Sequence, residues 1–437
     1  MVRAGRHTRN DNPVCQRRCV PLGSPYLAPT ARIDRNGGRS LDRALHPMTW
    51  RWQPPVLSPV SSRALVDGLG AAIGLRRSDH QSVIASLCKR YSAADALLTN
   101  SGTSALILAL RKAVPRGGTV AFPGYACVDL TTAAVGAGIR VRLYDTDPET
   151  LSPDLDSVRK VIARGVDAIV VAHLYGYPAD VPGVENLAAE HGIPVIEDAA
   201  QGAGGTVGGK LLGTFAELSV LSFGRGKGMT AGSGGALLVH TPALTAWTKQ
   251  LRAELGAASA GGVEVMTLAA QSVLARPAVY RFPASIPALK LGEMVYHPPT
   301  EPRPMAAAAA AILQSALKVD DREVEYRRIR AKNLLNRIRD SHGVSAVRPI
   351  RGGESGFLRL ALIDTGGQRL PRASIGALRG YPVTLGQHAQ LEPLLMPGER
   401  AGRGAEFLRD RLFTLPTHSR VTQSDLERVA DWLGYPS

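Results

Sequence analysis

Cysteines and long apolar runs are scarce in this sequence. It has four cysteines among 437 residues, Cys15, Cys19, Cys88 and Cys127, and their spacing shows no pairing. This excludes the disulfide-rich secreted class and indicates a reducing, cytoplasmic setting. No apolar run approaches the roughly 20 residues that a membrane helix requires, so we expect no membrane partner. Cysteine and histidine also lack zinc-ligand spacing, and we expect no bound metal.

Acidic residues are fewer than basic ones, 37 against 52, which gives a formal net charge of +15. Aromatic residues make up only 5% of the chain, and neither zinc-finger spacing nor an aromatic RNA-binding signature is present. A positive charge without these motifs does not indicate a nucleic-acid partner. It is compatible with acidic small molecules such as nucleotide sugars.

Residues 1–47 hold nine arginines, three acids and no lysine, and they are dotted with Pro and Gly. They lack the apolar core of a secretory signal. We expect this extension to be disordered or to lie upstream of the true start, because Met48 begins the segment that leads into helical periodicity. A transit peptide is the alternative, and the three acids count against it.

The rest of the chain alternates short apolar runs with helical patterns. The predicted strands cover residues 119–122, 141–144, 168–173, 194–196, 218–222 and 236–239. This alternation predicts an α/β fold with a mostly parallel sheet flanked by helices. Ligands of such sheets bind beyond the carboxyl ends of the strands.

Three short segments carry groups suited to pyridoxal 5'-phosphate (PLP). Gly102, Thr103 and Ser104 open a predicted helix, where amides and hydroxyls bind phosphate. Asp198 ends one apolar run, and Lys227 follows the next one between two glycines. A lysine amine can hold the aldehyde of PLP, and a carboxylate can hold its ring nitrogen.

The order of these segments and the residues in them resemble the DegT/StrS family of PLP-dependent aminotransferases, many of which aminate nucleotide-linked keto sugars. The resemblance is close over residues 94–240 and looser beyond. It implies the type I PLP-transferase fold with a smaller C-terminal α+β domain, usually as a homodimer. The resemblance rests on four short motifs: Ser101-Gly102-Thr103, Glu197-Asp198-Ala199-Ala200-Gln201, Ser222-Phe223, and Lys227 followed by Gly234-Gly235.

The resemblance also implies residue roles. Lys227 would carry the cofactor covalently and move a proton at the substrate, and Asp198 would pair with the pyridinium nitrogen. The alternative for Asp198 is a helix cap. Gln201 would lie near the phenolic oxygen of the cofactor. The phosphate would be held by Gly102, Thr103, Ser104 and Ser222.

Two departures from the family pattern concern the ring and the substrate cleft. Cys127 stands where the family often has an aromatic residue that stacks on the pyridine ring, and Tyr125 is an alternative platform. Cys127 can equally be a small buried hydrophobe. Before the Ala-rich residues 306–311, the family's Asn-Tyr-Arg is replaced by residues 301–305 (EPRPM). We therefore expect a remodelled cleft.

Two further residues are candidates for substrate contact. His173 ends a predicted strand and faces the same crevice as Asp198, although a hydrogen-bonded core histidine is the alternative. Arg359 lies in the strand-like residues 356–363, and its planar guanidinium suits a carboxylate. An exposed strand arginine is the commoner case.

Residues 204–211 (GGTVGGKL) satisfy the glycine and lysine positions of a nucleotide-binding P-loop. Leu211, however, stands where a magnesium ligand, Ser or Thr, is required. We expect a hairpin turn at Gly208 and Gly209 instead.

Composition predicts the domain boundaries. We expect a large PLP-binding domain over 48–255, a Pro/Ala-rich connecting segment over 256–305 and a small domain over 306–437. The small domain should contain a charged helix over 320–339. Its last helix should begin at a capping box formed by Thr422 and Asp425.

The sequence therefore predicts an aminotransferase that uses PLP. Its amino donor is an amino acid, glutamate by family analogy, and its acceptor is a keto group on a nucleotide-linked sugar or related metabolite. The alternatives are a PLP-dependent lyase or dehydratase and a non-catalytic PLP-binding regulator. Dehydratase relatives replace the lysine with histidine, so Lys227 favours amino transfer. A regulator usually carries a DNA-binding domain, for which residues 1–47 are too short.

Overall fold

A computed structural model describes residues 51–76, 79–289, 291, 294–318, 320–338, 343–366 and 371–434. The extension expected over 1–47 lies outside these residues. Within the described ranges, no helix combines the length and the apolarity that crossing a membrane requires.

A seven-stranded sheet organises the first half of the described chain, in the order β1-β9-β8-β5-β4-β2-β3. Only β9 runs antiparallel to its neighbours. The mostly parallel α/β sheet and all six predicted strands are confirmed, whereas β1 was not predicted. The strands to residue 239 are β1 Asp95–Thr99, β2 Thr119–Pro123, β3 Arg140–Tyr144, β4 Ala168–Ala172, β5 Val195–Asp198, β6 Thr206–Val207, β7 Lys210–Leu211, β8 Leu218–Ser222 and β9 Gly235–Val239.

Helices cover both faces of this sheet, and β4 shows why its strands are apolar throughout. Val170 packs on one face with α3 and α4, while Ile169 and Val171 pack on the other with α5 and α6. Successive side chains alternate between faces, so a strand covered on both sides needs a continuous apolar run. The first six helices are α1 Ser62–Ala72, α2 His80–Tyr91, α3 Gly102–Ala113, α4 Asp129–Ala137, α5 Leu155–Ala163 and α6 Val181–Ala189.

Four helices follow the sheet, and the last of them returns to its core. They are α7 Thr245–Glu254, α8 Gly262–Leu274, α9 Arg281–Ala284 and α10 Ala307–Ala316. Ala308 and Ile312 of α10 are fully buried in one cluster with Leu98 of β1 and Leu238 of β9. We therefore propose that the large domain extends through α10, beyond its expected end at residue 255 and into the residues expected to begin the small domain at 306.

A second, antiparallel sheet of four strands, in the order β10-β12-β14-β13, forms the C-terminal α+β unit. Leu334 of α11 and Val429 of α13 pack in one cluster with Leu362 of β12. Thr422 and Asp425 form the expected capping box of α13. The elements are α11 Asp320–Ile338, β10 Val344–Ala346, β11 Gly353–Glu354, β12 Leu360–Asp364, β13 Leu378–Arg379, α12 Arg403–Arg411, β14 Leu412–Leu415 and α13 Gln423–Leu433.

The expected hairpin joins the two parts of the chain. β6 pairs with β7 around Gly208 and Gly209, and β11 adds to the other edge of β6. The hairpin predicted at the P-loop-like residues is therefore confirmed.

Replacing a core residue of α3 tests how far this packing stabilises the fold. Leu110 is fully buried, so Leu110→Ala should lower the free energy of unfolding by about 3 kcal/mol through lost apolar contact and a residual cavity. Denaturant unfolding measures this loss. Leu75, which is 83% exposed, is the matched control, and Leu75→Ala should change stability by less than about 0.5 kcal/mol. Equal effects of the two substitutions would contradict the prediction.

Candidate active site

One pocket lies at the carboxyl ends of β4, β5 and β8, beside the first turn of α3. Eight of the ten candidate residues line it, and only Ser104 and Arg359 do not. Strand alternation explains the convergence, because Ile196 of β5 and Val220 of β8 face the core under α3. Asp198 and Ser222, two positions further along these strands, point to the same side.

The first turn of α3 forms one wall of this pocket. Ser101 caps the helix, since its Oγ accepts from the Ser104 amide at 3.0 Å and donates to the Ser104 hydroxyl at 3.0 Å. Ser104 is buried and does not line the pocket, and its predicted phosphate contact stays a prediction. Gly102 lets the turn approach β8, because a Cβ there would stand 2.7 Å from the Cβ of Ser222. Thr103 and Ser222 remain at the wall.

Asp198 presents a buried carboxylate to the pocket. Its Oδ1 accepts from the Ala200 amide at 3.0 Å, so it also makes a local backbone bond of the capping kind. Burial raises its pKa, and the Ala200 hydrogen bond and the Lys227 charge offset this only in part. Among the described residues, no cation forms an ion pair with it. This environment suits a cationic ring N–H of a ligand.

His173 is held by a buried network around Glu197. Its Nδ1 accepts from the Ala179 amide at 2.9 Å, so Nε2 carries the hydrogen and donates to Glu197 at 2.9 Å. Burial alone would raise the pKa of Glu197, but hydrogen bonds from His173, Gly213 and Phe215 bring it below its usual value. Both ring nitrogens of His173 are used. It therefore borders the pocket with its ring and also satisfies the core-histidine alternative.

Cys127, rather than Tyr125, lies at the pocket wall. Its thiol donates to Asp129 at 3.5 Å, and burial followed by the Asp129 charge raises its pKa to about 12. The thiol is therefore protonated at neutral pH and offers a polarisable surface. Tyr125 is fully buried, and its hydroxyl accepts from the Tyr381 amide at 2.8 Å.

Gln201 connects the pocket to the C-terminal unit. Its Oε1 accepts from the Tyr175 amide at 3.2 Å, and its Nε2 donates to the Tyr381 hydroxyl at 2.8 Å. Tyr381 follows β13 and therefore brings the smaller unit to the edge of the site.

Lys227 lies in the turn after β8, which two distant segments support. Its carbonyl accepts a hydrogen bond from the Ser58 hydroxyl. The fully buried Arg327 of α11 donates from Nη2 to the Gly228 carbonyl at 3.3 Å. These bonds hold the backbone that directly follows the Lys227 side chain.

Sequence reasoning missed Glu197, Asp129 and Tyr381. For Glu197 a signal existed, because an acid inside a buried apolar strand needs several donors around it. Tyr381 had no local signal, since its place depends on contacts across the two units.

The chain is similar to known aminotransferases. A model of the DegT/DnrJ/EryC1/StrS aminotransferase family matches residues 79–434. An L-glutamine:2-deoxy-scyllo-inosose aminotransferase of Streptomyces kanamyceticus is 38% identical over 156 residues, 36% of this chain and 36% of that protein. A UDP-N-acetyl-3-dehydro-alpha-D-glucosamine 3-aminotransferase of Acidithiobacillus ferrooxidans is 34% identical over 144 residues, 33% of this chain and 39% of that protein. The matches span less than half the length of these relatives.

A solved structure extends the likeness to nearly the whole fold. The GDP-4-keto-6-deoxy-D-mannose-3-dehydratase of E. coli, with bound hydrated PLP, superposes with a TM-score of 0.67 over 88% of this chain and 100% of that one. The two chains are 16% identical, so this likeness shows the fold alone.

Asp198→Asn tests the environment of the carboxylate. Burial raises the pKa of Asp198 in the folded protein, so the ionised group opposes folding when no cofactor is bound. Its contribution to stability is lost as pH rises from the unfolded pKa of about 3.9 to the raised folded value. Without PLP, we expect D198N to be at least as stable as the wild type at pH 7, and the relative gain to shrink toward about pH 4.

Thermal unfolding of both cofactor-free proteins across this pH range measures the difference. A D198N protein that is less stable than the wild type at pH 7 would refute this interpretation of the site.

Proposed function

The chain belongs to the DegT/DnrJ/EryC1/StrS aminotransferase family, and from this premise we propose that its pocket binds PLP and transfers an amino group from an amino acid to a keto sugar. The observation that carries the proposal is the meeting of Lys227, Asp198 and the first turn of α3 in one pocket. An amine, a buried carboxylate and a helix N-terminus match three polar parts of this cofactor.

The residues present fit the group. Thr103 and Ser222 would hold the phosphate, because Gly102 brings the α3 turn against β8. Asp198 would face the ring nitrogen, and Cys127 would pack on the ring. Gln201 would lie near the phenolic oxygen. When bound, PLP supplies an electron sink for the pair of electrons left at the substrate α-carbon.

Lys227 and Asp198 then do different work. Lys227 provides the only amine among the residues that line the pocket, and its Nζ is the group that can accept a proton from the substrate α-carbon and return it. A cationic ring N–H would favour the ionised form of Asp198 over the neutral one. The carboxylate would in turn keep that proton in place.

The acceptor we propose is a keto group on a nucleotide-linked sugar or a related cyclic polyol. The two relatives are named for such substrates, an inosose and a UDP-linked keto sugar. An excess of 52 basic over 37 acidic residues favours encounter with phosphorylated substrates. Glutamate was expected as donor, whereas the Streptomyces relative is named for L-glutamine, so both amino acids belong in the test.

We also propose a homodimer through an apolar patch on α1 and α8, which pack side by side. The patch consists of Val66, Leu69, Ile73, Val263 and Met266, and Val66 and Met266 are 68% and 74% exposed. Val66 and Leu69 lie three positions apart on one face of α1, and Ile73 directly follows the last residue of that helix. Clustered exposed apolar side chains are typical of an interaction site, and pairing with a second copy would bury them.

Lys227→Ala tests the proposed activity. We expect the wild type with PLP to be labelled by borohydride reduction on the peptide that contains Lys227, and the variant to lack this label. Amino transfer from L-glutamine or L-glutamate should fall by at least about 10³-fold in the variant. Visible absorption and peptide mass spectrometry measure the two effects.

Lys249→Ala, in the exposed part of α7, is the matched control and should keep both the label and the activity. A label on another lysine, or substantial turnover by the pure Lys227→Ala protein, would overturn the proposed function.

Substitutions in the patch test the dimer. Asp at both Leu69 and Met266 would place charges inside the proposed interface, so the double variant should elute as a monomer while the wild type is a dimer. Size-exclusion chromatography with light scattering measures the mass. Phe407→Asp, at another exposed apolar residue, is the control and should leave the dimer intact. A dimer that survives both patch substitutions would refute this interface.

A further inference from the structure

The segment that follows α8 carries positive charge and no acid. Residues 265–292 contain Arg276, Arg281 and Lys290 but neither Asp nor Glu, although the whole chain has 37 acids. On most protein surfaces acids and bases are interspersed, because mixed charge avoids a strong local field. A basic stretch without acids therefore indicates a surface that meets negative charge.

Large apolar side chains of the same segment are exposed. Phe282 of α9 is 63% exposed, and Ile286, Leu289 and Leu291 beyond it are each about half exposed. A single exposed apolar residue is ordinary on a protein surface. Four of them in one short segment form a patch of the kind found at interaction sites. We call these four residues the α9 patch.

The backbone around the α9 patch is held by the rest of the protein. Before the patch, the Trp52 amide donates to the Pro277 carbonyl at 2.8 Å. Beyond it, the Thr132 hydroxyl of α4 donates to the His297 carbonyl at 3.0 Å. Within α9, Pro283 is buried. The exposed side chains are thus presented on an ordered backbone, so a partner that covers them pays little for ordering.

Arginines from other parts of the chain lie beside Arg276. Burial and then the charge of Arg276 lower the pKa of Arg420, and Glu323 offsets this only in part. Arg51 connects further arginines to this pair, since it donates to the Arg420 carbonyl at 2.7 Å and its own carbonyl accepts from Arg428 at 3.0 Å. The arginine cluster consists of Arg51, Arg276, Arg372, Arg420 and Arg428.

A buried acid, Asp425, holds part of this cluster together. It forms ion pairs with Arg51 at 3.1 Å and with Arg428 at 3.5 Å. Burial nevertheless lowers the pKa of Arg428; Asp425 opposes this, and the charges of Arg372 and Arg51 add to it. The arginines thus repel one another more than the nearby acids compensate, and an anionic partner would relieve this repulsion.

An exposed apolar patch beside such positive charge favours an anionic membrane surface over two other partners. Segments that lie in a membrane interface combine both features, because apolar side chains enter the headgroup boundary while basic ones meet lipid phosphates. A second copy would bring the same arginines face to face. A nucleic acid would satisfy the arginines but offers no apolar layer for Ile286, Leu289 and Leu291.

We propose that the α9 patch and the arginine cluster together bind the surface of a membrane that contains anionic phospholipids, without crossing it. Phe282 and Ile286 would enter the boundary between headgroups and acyl chains, and the guanidinium groups would contact lipid phosphates. Such binding needs no spanning helix, so the expectation of no membrane partner, which rests on the lack of a long apolar run, does not concern it. It is independent of the proposed amino transfer.

Vesicles of two compositions test the proposal on the full-length protein. One kind contains phosphatidylcholine alone, and the other also contains about 30% phosphatidylglycerol, which is anionic. In sedimentation with these vesicles at low ionic strength, the wild type should bind the anionic kind at least about 10-fold more strongly, and about 0.5 M salt should abolish the difference. No binding to the anionic vesicles, or equal binding to both kinds, would overturn the proposal.

Substitutions in the α9 patch test the apolar contribution. Phe282→Asp combined with Ile286→Asp places two carboxylates against the lipid, so binding to the anionic vesicles should fall by on the order of 100-fold. Phe407→Asp, at an exposed apolar residue of α12, is the matched control and should bind as the wild type does. Retained binding by the double variant would mean that another part of the chain, such as the arginines of residues 1–47, attracts the vesicles, and the proposal would fall.

A charge reversal tests the electrostatic contribution. Arg276→Glu combined with Arg281→Glu should weaken binding to the anionic vesicles by at least about 10-fold and leave binding to phosphatidylcholine unchanged. The exposed Arg351 is the matched position, and Arg351→Glu should change neither. All these positions lie at the surface, so every variant should unfold near the wild-type temperature. Unchanged binding after the double reversal would contradict the proposal.

Two measurements separate the other partners. If Phe282→Asp with Ile286→Asp changes the mass in light scattering, the α9 patch is an interface between copies and the proposal is wrong. If Arg276→Glu with Arg281→Glu weakens binding of a duplex oligonucleotide and not of the anionic vesicles, the arginines serve a nucleic acid and the proposal is wrong. Loss of vesicle binding at unchanged mass is the result expected for a membrane surface. Failure of the proposed function is distinguishable, because it would appear as a wild type without PLP label on Lys227.

Discussion

The two adjacent carboxylates at the end of β5 are the constraint around which the site is built. Strand alternation sends Glu197 and Asp198 to opposite faces of the sheet. Glu197 gathers His173 and several backbone amides, so its charge is satisfied within the protein. Asp198 faces the α3 side with one backbone hydrogen bond and no ion-pair partner among the described residues. Glu197 therefore stabilises the fold around the site, and the Asp198 carboxylate remains available to a ligand.

A charge left without a partner also occurs at Arg359, in the opposite sign and in the other unit of the chain. Folding alone gains nothing from either group, because burial disfavours the ionised form of each. The ionised form of Asp198 becomes favourable when a ligand supplies the complementary charge. Tyr381, hydrogen-bonded to Gln201, lies between the two and places the smaller unit against the site of the larger one.

Local pattern explains why much of the site was predictable. Gly102 starts a helix, Ser222 ends a strand and Lys227 lies in the turn after that strand, so the sequence order of strands and helices also places them in space. The same comparison of short motifs with the family pattern predicted that Cys127 stacks on the pyridine ring of PLP. Cys127 does lie at the pocket wall. Ser104 does not line the pocket, and its hydroxyl accepts from the capping Ser101, a local contact that the motif does not reveal.

The sequence by itself determined the α/β class, six of the strands, the hairpin and the meeting of Lys227 with Asp198, because these depend on periodicity and on which strand ends share an edge. Only the tertiary structure decided the rest. The return of α10 to the large core depends on packing between segments distant in sequence, and so does the placing of several tyrosines around Arg359. Such contacts leave no periodic signal, since each residue is placed by partners that its own segment does not contain.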